Sequence, residues 1–122
     1  AGSGIGRELA LLLAQEGCLV ICWDVNAAGN EETVTRVQEQ GGQAEAFTVD
    51  VTKPEVVKAT AEEMERRGHT ATILINNAGL VSGLPIWEES DESISRVMNV
   101  NTMAHFWTVR AFLPGMRRAR KG

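Results

Sequence analysis

The sequence predicts an α/β fold, part of a doubly wound parallel sheet covered by helices on both faces. Three observations carry that expectation. The chain opens on "AGSGIG", a glycine-rich turn that runs straight into an apolar helix. Helical periodicities then alternate with short β-rich runs, in the order helix, strand, helix, strand, helix, strand, helix. That order implies crossover connections and parallel strands. The last β-rich run, "ATILI" at 71–75, is almost continuously apolar, which suits a strand buried on both faces.

Each element has its own warrant. Ile5, Leu9, Leu12 and Leu13 recur at helical spacing, so residues 5–16 read as an amphipathic helix closed by Gly17. "CLVICW" is a short strand ended by Asp24. Residues 27–40 form a second helix with Val34 and Val37 inward, stopped by the glycine pair at 41–42. "AEAFTV" alternates and ends before Asp50, as a half-buried strand does. Thr52 and Glu55 have capping-box spacing, with Pro54 in the first turn of a helix reaching Arg67. Ser90 caps a last, long helix that carries Ile94, Val97, Met98, Met103, Phe106 and Phe112. The count is three strands and four helices. Sheets of this kind take ligands at the carboxyl ends of their strands.

Length and charge narrow the function. A chain of 122 residues suits one domain rather than two. A formal charge of −4 argues against nucleic acid, which wants a basic face. Cys18 and Cys22 are too few for a disulfide framework and read as buried, inert thiols in a reducing compartment. No apolar run approaches the ~20 residues of a membrane span. His69 and His105 have no metal-ligand company, so no metal site is expected. The basic run "RRARK" at 117–121 complements the negative end of the last helix, the other reading being a membrane-surface patch.

Two groups of residues could carry chemistry. In the opening loop, Gly2, Gly4 and Gly6 allow a tight turn and close approach of a ligand. The N–H groups of the following first turn then face an anion. Asp24 stands 18 residues after Gly6, at the end of the next strand, near the ~20-residue separation of a carboxylate that holds a ribose diol. The plain alternative is a solvated turn aspartate. A carboxylate there repels a 2′-phosphate, and Ser3 brings no positive charge, so NAD is expected over NADP. Arg7 reads as a solvated residue of the helix. The second group is "LINNAG" at 74–79, where Asn76 and Asn77 can bridge backbone groups of neighbouring strands. Its alternative is an Asn-rich turn.

Taken together, "GSGIG", "WD" after the second strand, "VDV" at 49–51, "NNAG" at 76–79 and "VN" at 100–101 resemble the short-chain dehydrogenase/reductase family, over essentially the whole chain. "WDVNAAGNEET", "NNAGLVSG" and "NVNTMAHFWTVRAFLPGM" are similar to its branch of retinol dehydrogenases and 17-beta-hydroxysteroid dehydrogenases. The resemblance implies a Rossmann-like sheet. It places Ser3, Gly4, Ile5 and Gly6 at the pyrophosphate and makes Asp24 the NAD-selecting acid. It sets Asp50 and Val51 beside the adenine and Asn77, Ala78 and Gly79 along the adenosine ribose. Asn101 matches the catalytic asparagine, which holds a water in the proton relay and lets the helix bend. A satisfied polar residue inside a packed helix is the alternative for Asn101.

The resemblance also implies an NAD-dependent oxidoreductase acting on a small apolar alcohol or carbonyl, such as a retinoid, steroid or related lipid. It implies a homodimer, with Val100, Met103, Phe106, Trp107 and Phe112 on a helix apolar on more than one side. The implied location is intracellular, at the endoplasmic reticulum membrane or lipid droplet, and cytoplasmic otherwise. The sequence departs from the family in one respect above all. The family's acid/base is a tyrosine in a Tyr-x-x-x-Lys motif, and this chain contains no tyrosine. None of Ser82, Ser90, Ser93 and Ser95 matches the catalytic serine. The expectation is therefore a fragment of a protein of roughly 250–300 residues, lacking the first strand and the catalytic C-terminal half. Such a piece should fold poorly by itself and show no dehydrogenase turnover. The alternatives are a truncated or inactive nucleotide-binding module and, less fitting to "NNAG", a Rossmann-like methyltransferase.

Overall fold

The computed structural model describes residues 1–122, which form two units, 1–50 and 51–122. The first begins with helix α1 (Gly4–Gln15), followed by strand β1 (Leu19–Asp24), helix α2 (Ala27–Glu39) and strand β2 (Gln43–Thr48). The strands pair in parallel, Leu19 opposite Gln43 through to Asp24 opposite Thr48. Two parallel strands joined by a helix are the expected crossover unit.

The core of this unit is made of small and branched residues. Ala10 and Ala14 of α1, Cys22 of β1, Val34 and Val37 of α2 and Ala44 of β2 cluster together, with Leu11, Val20 and Ala46 packed against them. The buried face of α1 is therefore Gly6, Ala10 and Ala14, not the Ile5–Leu9–Leu12–Leu13 face read from the sequence. Ile5 is 75% and Leu12 58% exposed. Small side chains let α1 approach Val34 and Val37 closely, which leaves the larger apolar stripe outward in this unit. Cys22 is buried and its thiol is pushed up by that burial, whereas Cys18 is half-buried and precedes the strand; both are free.

Two buried polar residues tie α2 to the strands. Asn30, 1% exposed, donates from Nδ2 to Cys22 O at 2.8 Å and Phe47 O at 3.2 Å. These carbonyls belong to adjacent strands, so one side chain bridges β1 and β2. Asn26 caps α2 by accepting from the Gly29 N–H at 3.1 Å. Val49 N donates to Asp24 O at 2.9 Å, extending the pairing past β2.

The second unit contains α3 (Pro54–Arg66), a 3₁₀ turn at Ile86–Glu88, α4 (Asp91–Met98), a π-helical turn at Asn99–Met103 and α5 (Ala104–Ala119). Pro54 stands in the first turn of α3, but the N-cap is Lys53 rather than the expected Thr52, and the Lys53 side chain makes no cap bond. Ser90 does cap α4, its Oγ accepting from Ser93 N at 3.1 Å. The predicted long helix is thus one unbroken helical run interrupted by the π turn. Val57, Ala61 and Met64 of α3 and Ala104 of α5 are buried, and α3 packs on α5. Arg118 reaches Glu65 at 2.9 Å. No helix is long and apolar enough to cross a membrane.

Residues 71–80 depart from expectation in one respect. The run pairs with no strand. Ile73 is 61% and Ile75 45% exposed. A run written for burial on both faces needs a strand on each side to satisfy its N–H and C=O groups. The only pairing present is β1 with β2.

Candidate functional site

The glycine turn meets the end of β1 within the first unit. Gly2 N donates to Asp24 Oδ2 at 2.7 Å, and Asn26 N donates to Asp24 Oδ1 at 2.9 Å. The Ala1 amino nitrogen donates to the same Oδ2 at 2.9 Å and to Trp23 O at 2.6 Å. Asp24 is thus engaged by the turn rather than simply solvated, with a quarter of its side chain exposed. Burial pushes its carboxyl up, yet the N–H groups of Asn26 and Gly2 and the Ala1 amino group outweigh it and hold it below the usual aspartate range. The approach is close enough that a Cβ on Gly2 would lie 3.1 Å from the carboxylate.

The N-terminus of α1 is open. Gly4 has φ +53°, a left-handed conformation that favours glycine, and nothing within 4 Å occupies the place of its Cβ. Ser3 sits at the N-cap with no side-chain cap bond, and no acidic residue stands in the first turn. The first N–H groups of a helix have no partner within it, so those of Gly4, Ile5 and Gly6 are left for an external acceptor at an uncapped, positively polarised end. Ser3, Gly4 and Ile5 are exposed and Gly6 is buried against the unit. An anion is what such a terminus accepts. A carboxylate with two engaged oxygens beside it still has lone pairs for hydroxyl donors. These residues fit the pyrophosphate and ribose of a dinucleotide. Asp50 closes this unit, half-buried just after Val49.

In the second unit, Asn101 lies at the centre of the π turn. Its Oδ1 accepts from Leu80 N at 2.9 Å and its Nδ2 donates to Leu80 O at 2.8 Å. A single amide therefore pins the chain just after Gly79, whose Cβ position would be 3.6 Å from Asn101 Oδ1. A helix that widens to a π turn frees and redirects a side chain, and here that side chain is Asn101. Asn77, Ala78 and Gly79 are exposed on the same stretch, and Val51 opens the unit, half-buried. Asn76 does not bridge strands. Its Oδ1 accepts from Thr108 Oγ1 of α5 at 2.6 Å. No cluster of three or more His, Cys, Asp or Glu side chains is arranged to hold a metal ion.

Two residues at the first site were misread or passed over in sequence. Arg7 is not solvated; it is 14% exposed and turned onto the backbone of Gly2 and Gly29. Thr33, fully buried, places its Oγ1 2.9 Å from Ala1 O and 3.1 Å from Gly29 O. A signal existed for the second: Asn30, Thr33, Val34 and Val37 share one face at helical spacing.

Comparison with known proteins places the chain in a family. A family model described as short chain dehydrogenase matches residues 1–122. Epidermal retinol dehydrogenase 2 of Homo sapiens is 42% identical over 117 residues, covering 95% of this chain and 38% of that protein. Retinol dehydrogenase 10 of Homo sapiens is 39% identical, covering 100% of this chain and 43% of that protein. Estradiol 17-beta-dehydrogenase 11 of Mus musculus is 37% identical, over 100% of this chain and 41% of that protein. The chain thus spans about two fifths of the length of these curated relatives. Among solved structures, a metagenomic short-chain oxidoreductase in complex with NADP superposes with a TM-score of 0.92 at 27% identity, covering 100% of this chain and 56% of that one. The glycine turn, the carboxylate held against it and the match along every residue lead to one assignment: the chain belongs to the short-chain dehydrogenase family.

Proposed function

We propose that this chain is the dinucleotide-holding part of an oxidoreductase that interconverts an alcohol and its carbonyl on an apolar substrate, with NAD preferred over NADP. The observation that carries the reading is the 2.7 Å bond from Gly2 N to Asp24 Oδ2. It holds an ionised carboxylate at the edge of an uncapped helix N-terminus, the pairing a ribose diol and a pyrophosphate need. The N–H groups of Gly4, Ile5 and Gly6 bind the phosphates. Asp24 accepts from the ribose hydroxyls and repels a 2′-phosphate. Asp50, Val51, Asn77, Ala78 and Gly79 take their adenine-side and ribose-side roles from the family's motifs.

When bound, the nicotinamide supplies hydride transfer. Asn101 holds the Leu80 backbone, and by its motif it also positions the water of a proton relay. No residue of this chain supplies the family's tyrosine acid/base. The retinoid, steroid or lipid substrate class rests on similarity to relatives that carry those names.

Titration with NADH and NADPH tests the reading. Wild type should bind NADH more tightly than NADPH. Asp24→Asn should weaken NADH by about a hundredfold, the loss of charge-assisted bonds to two hydroxyls, while NADPH changes little. Because the folded carboxyl titrates below its ordinary value, wild-type affinity should persist through the usual carboxylate range and fall only as pH drops through that lowered value. Unchanged NADH affinity in Asp24→Asn would overturn the assignment.

A further inference from the structure

The Gly2 peptide is gripped from both ends. Its N–H donates to Asp24 Oδ2 at 2.7 Å, and its carbonyl accepts from Arg7 Nη2 at 2.5 Å. The same Nη2 lies 3.2 Å from Gly29 O and 2.9 Å from Glu32 Oε2, and Arg7 Nε donates to Thr33 Oγ1 at 3.0 Å. One guanidinium thus ties the glycine turn to the first two turns of α2, a span a lysine's compact ammonium cannot cover at once. Gly29 belongs to the same junction, since a Cβ there would lie 2.8 Å from Gly2 O. Glu32 is the outer member, half-exposed and shared with Arg36 at 2.5 Å.

We propose that Arg7 is a positioning residue for the dinucleotide: it fixes the Gly2 peptide, and through it both the phosphate-facing turn and the Asp24 carboxylate, without touching the nucleotide. The proposal rests on the dinucleotide reading above. Its rival within that reading is a cation that reads a 2′-phosphate directly. The geometry favours positioning, because Nε is taken by Thr33 and Nη2 is divided among the inward Gly2 and Gly29 carbonyls and the outer Glu32 carboxylate. The two roles differ in what they do to the ratio of NADH to NADPH affinity. A positioning residue moves both affinities together, and a phosphate reader moves only the second.

The experiment measures NADH and NADPH dissociation constants and the melting temperature for wild type, Arg7→Met, Arg7→Lys and Glu32→Gln in the full chain. Arg7→Met should weaken both nucleotides about tenfold with their ratio unchanged. Arg7→Lys should recover part of the loss, and Glu32→Gln should change either affinity less than about twofold. A loss confined to NADPH overturns the proposal in favour of direct phosphate reading. A lowered melting temperature with wild-type affinities overturns it in favour of a purely structural role. Should Arg7→Met not fold, Arg7→Lys decides: wild-type affinity for both nucleotides sinks the proposal. Wild type that binds neither nucleotide overturns the dinucleotide reading and this proposal together, whereas a binding wild type with an unaffected Arg7→Met overturns this proposal alone.

Discussion

The two units differ in how far they bury what their sequences ask to be buried. Residues 1–50 close a core of their own around Val37 and Cys22, each 1% exposed, and satisfy buried polar groups such as the Asn30 and Thr33 donors internally. Residues 51–122 leave most of the large apolar side chains open, among them Val81 at 86%, Trp87 at 81%, Ile86 at 70% and Phe106 at 62% exposure. The difference lies in connection more than in composition. In the first unit each strand has a neighbour and a helix across it, so the small and branched faces meet, although Ile5 and Leu12 stay outward. In the second, the apolar run at 71–75 pairs with no strand, and the segment after it is held to the helices by the Asn76–Thr108 and Leu80–Asn101 bonds. An apolar sequence does not make a core unless the backbone beneath it is paired.

The widest contrast comes from placing the same charge in both units. Val37→Asp buries an unpaired carboxylate in the first core and should cost about 4 kcal/mol or more, losing amide protection across α1, β1, α2 and β2. Val81→Asp changes a residue that touches little and should stay within about 0.5 kcal/mol. Residue-resolved hydrogen exchange reads both. Similar losses from the two variants would mean that the exposed loop is held by contacts as strong as the core, and the comparison would fail.

A smaller effect tests how finely the first unit is fitted. Gly29→Ala places a Cβ 2.8 Å from Gly2 O and 3.1 Å from Asn26 Nδ2. Backbone on one side cannot yield as a flexible side chain does, so the glycine turn or the start of α2 must shift, at about 1–3 kcal/mol. The expected result is a lowered unfolding midpoint. If Gly29→Ala unfolds at the wild-type urea concentration, the junction is looser than its distances imply.

How much of this was readable beforehand follows the same division. The helix–strand alternation, the place of Asp24 at the end of β1 and the Ser90 cap are local matters, set by periodicity and turn chemistry within a few residues. The burial of Ala10 and Ala14 instead of the leucine stripe was not readable, because helical spacing names an apolar stripe without saying which neighbour it meets. Arg7 differs from its expected solvated place for a related reason. Its position one residue into a helix suggests solvent, and only the crossover of α2 brings Gly29, Glu32 and Thr33 to it. "ATILI" has the composition of a buried strand, but a ladder is a property of two segments and no single run contains it. Asn101 drew notice through its motif, while its Leu80 partner, 21 residues earlier, could come only from coordinates.

The least disruptive change addresses the two-bond polar clasp on Leu80 in the open part of the second unit. Asn101→Leu keeps the volume of a half-buried side chain and removes both bonds to Leu80, at 2.9 and 2.8 Å. Each neutral bond of this kind is worth about 1 kcal/mol net, so the total cost should be about 1–2 kcal/mol. The loss should be local. Leu80 N–H loses its acceptor and should exchange about tenfold faster, while amides of the first unit keep their protection. The π turn offers a second readout. If the widened turn exists to present the Asn101 amide to Leu80, the variant should relax towards α-helical carbon chemical shifts at 99–103. If it persists unchanged, its origin is the packing of α4 and α5, and the clasp is a consequence of the bend rather than its cause.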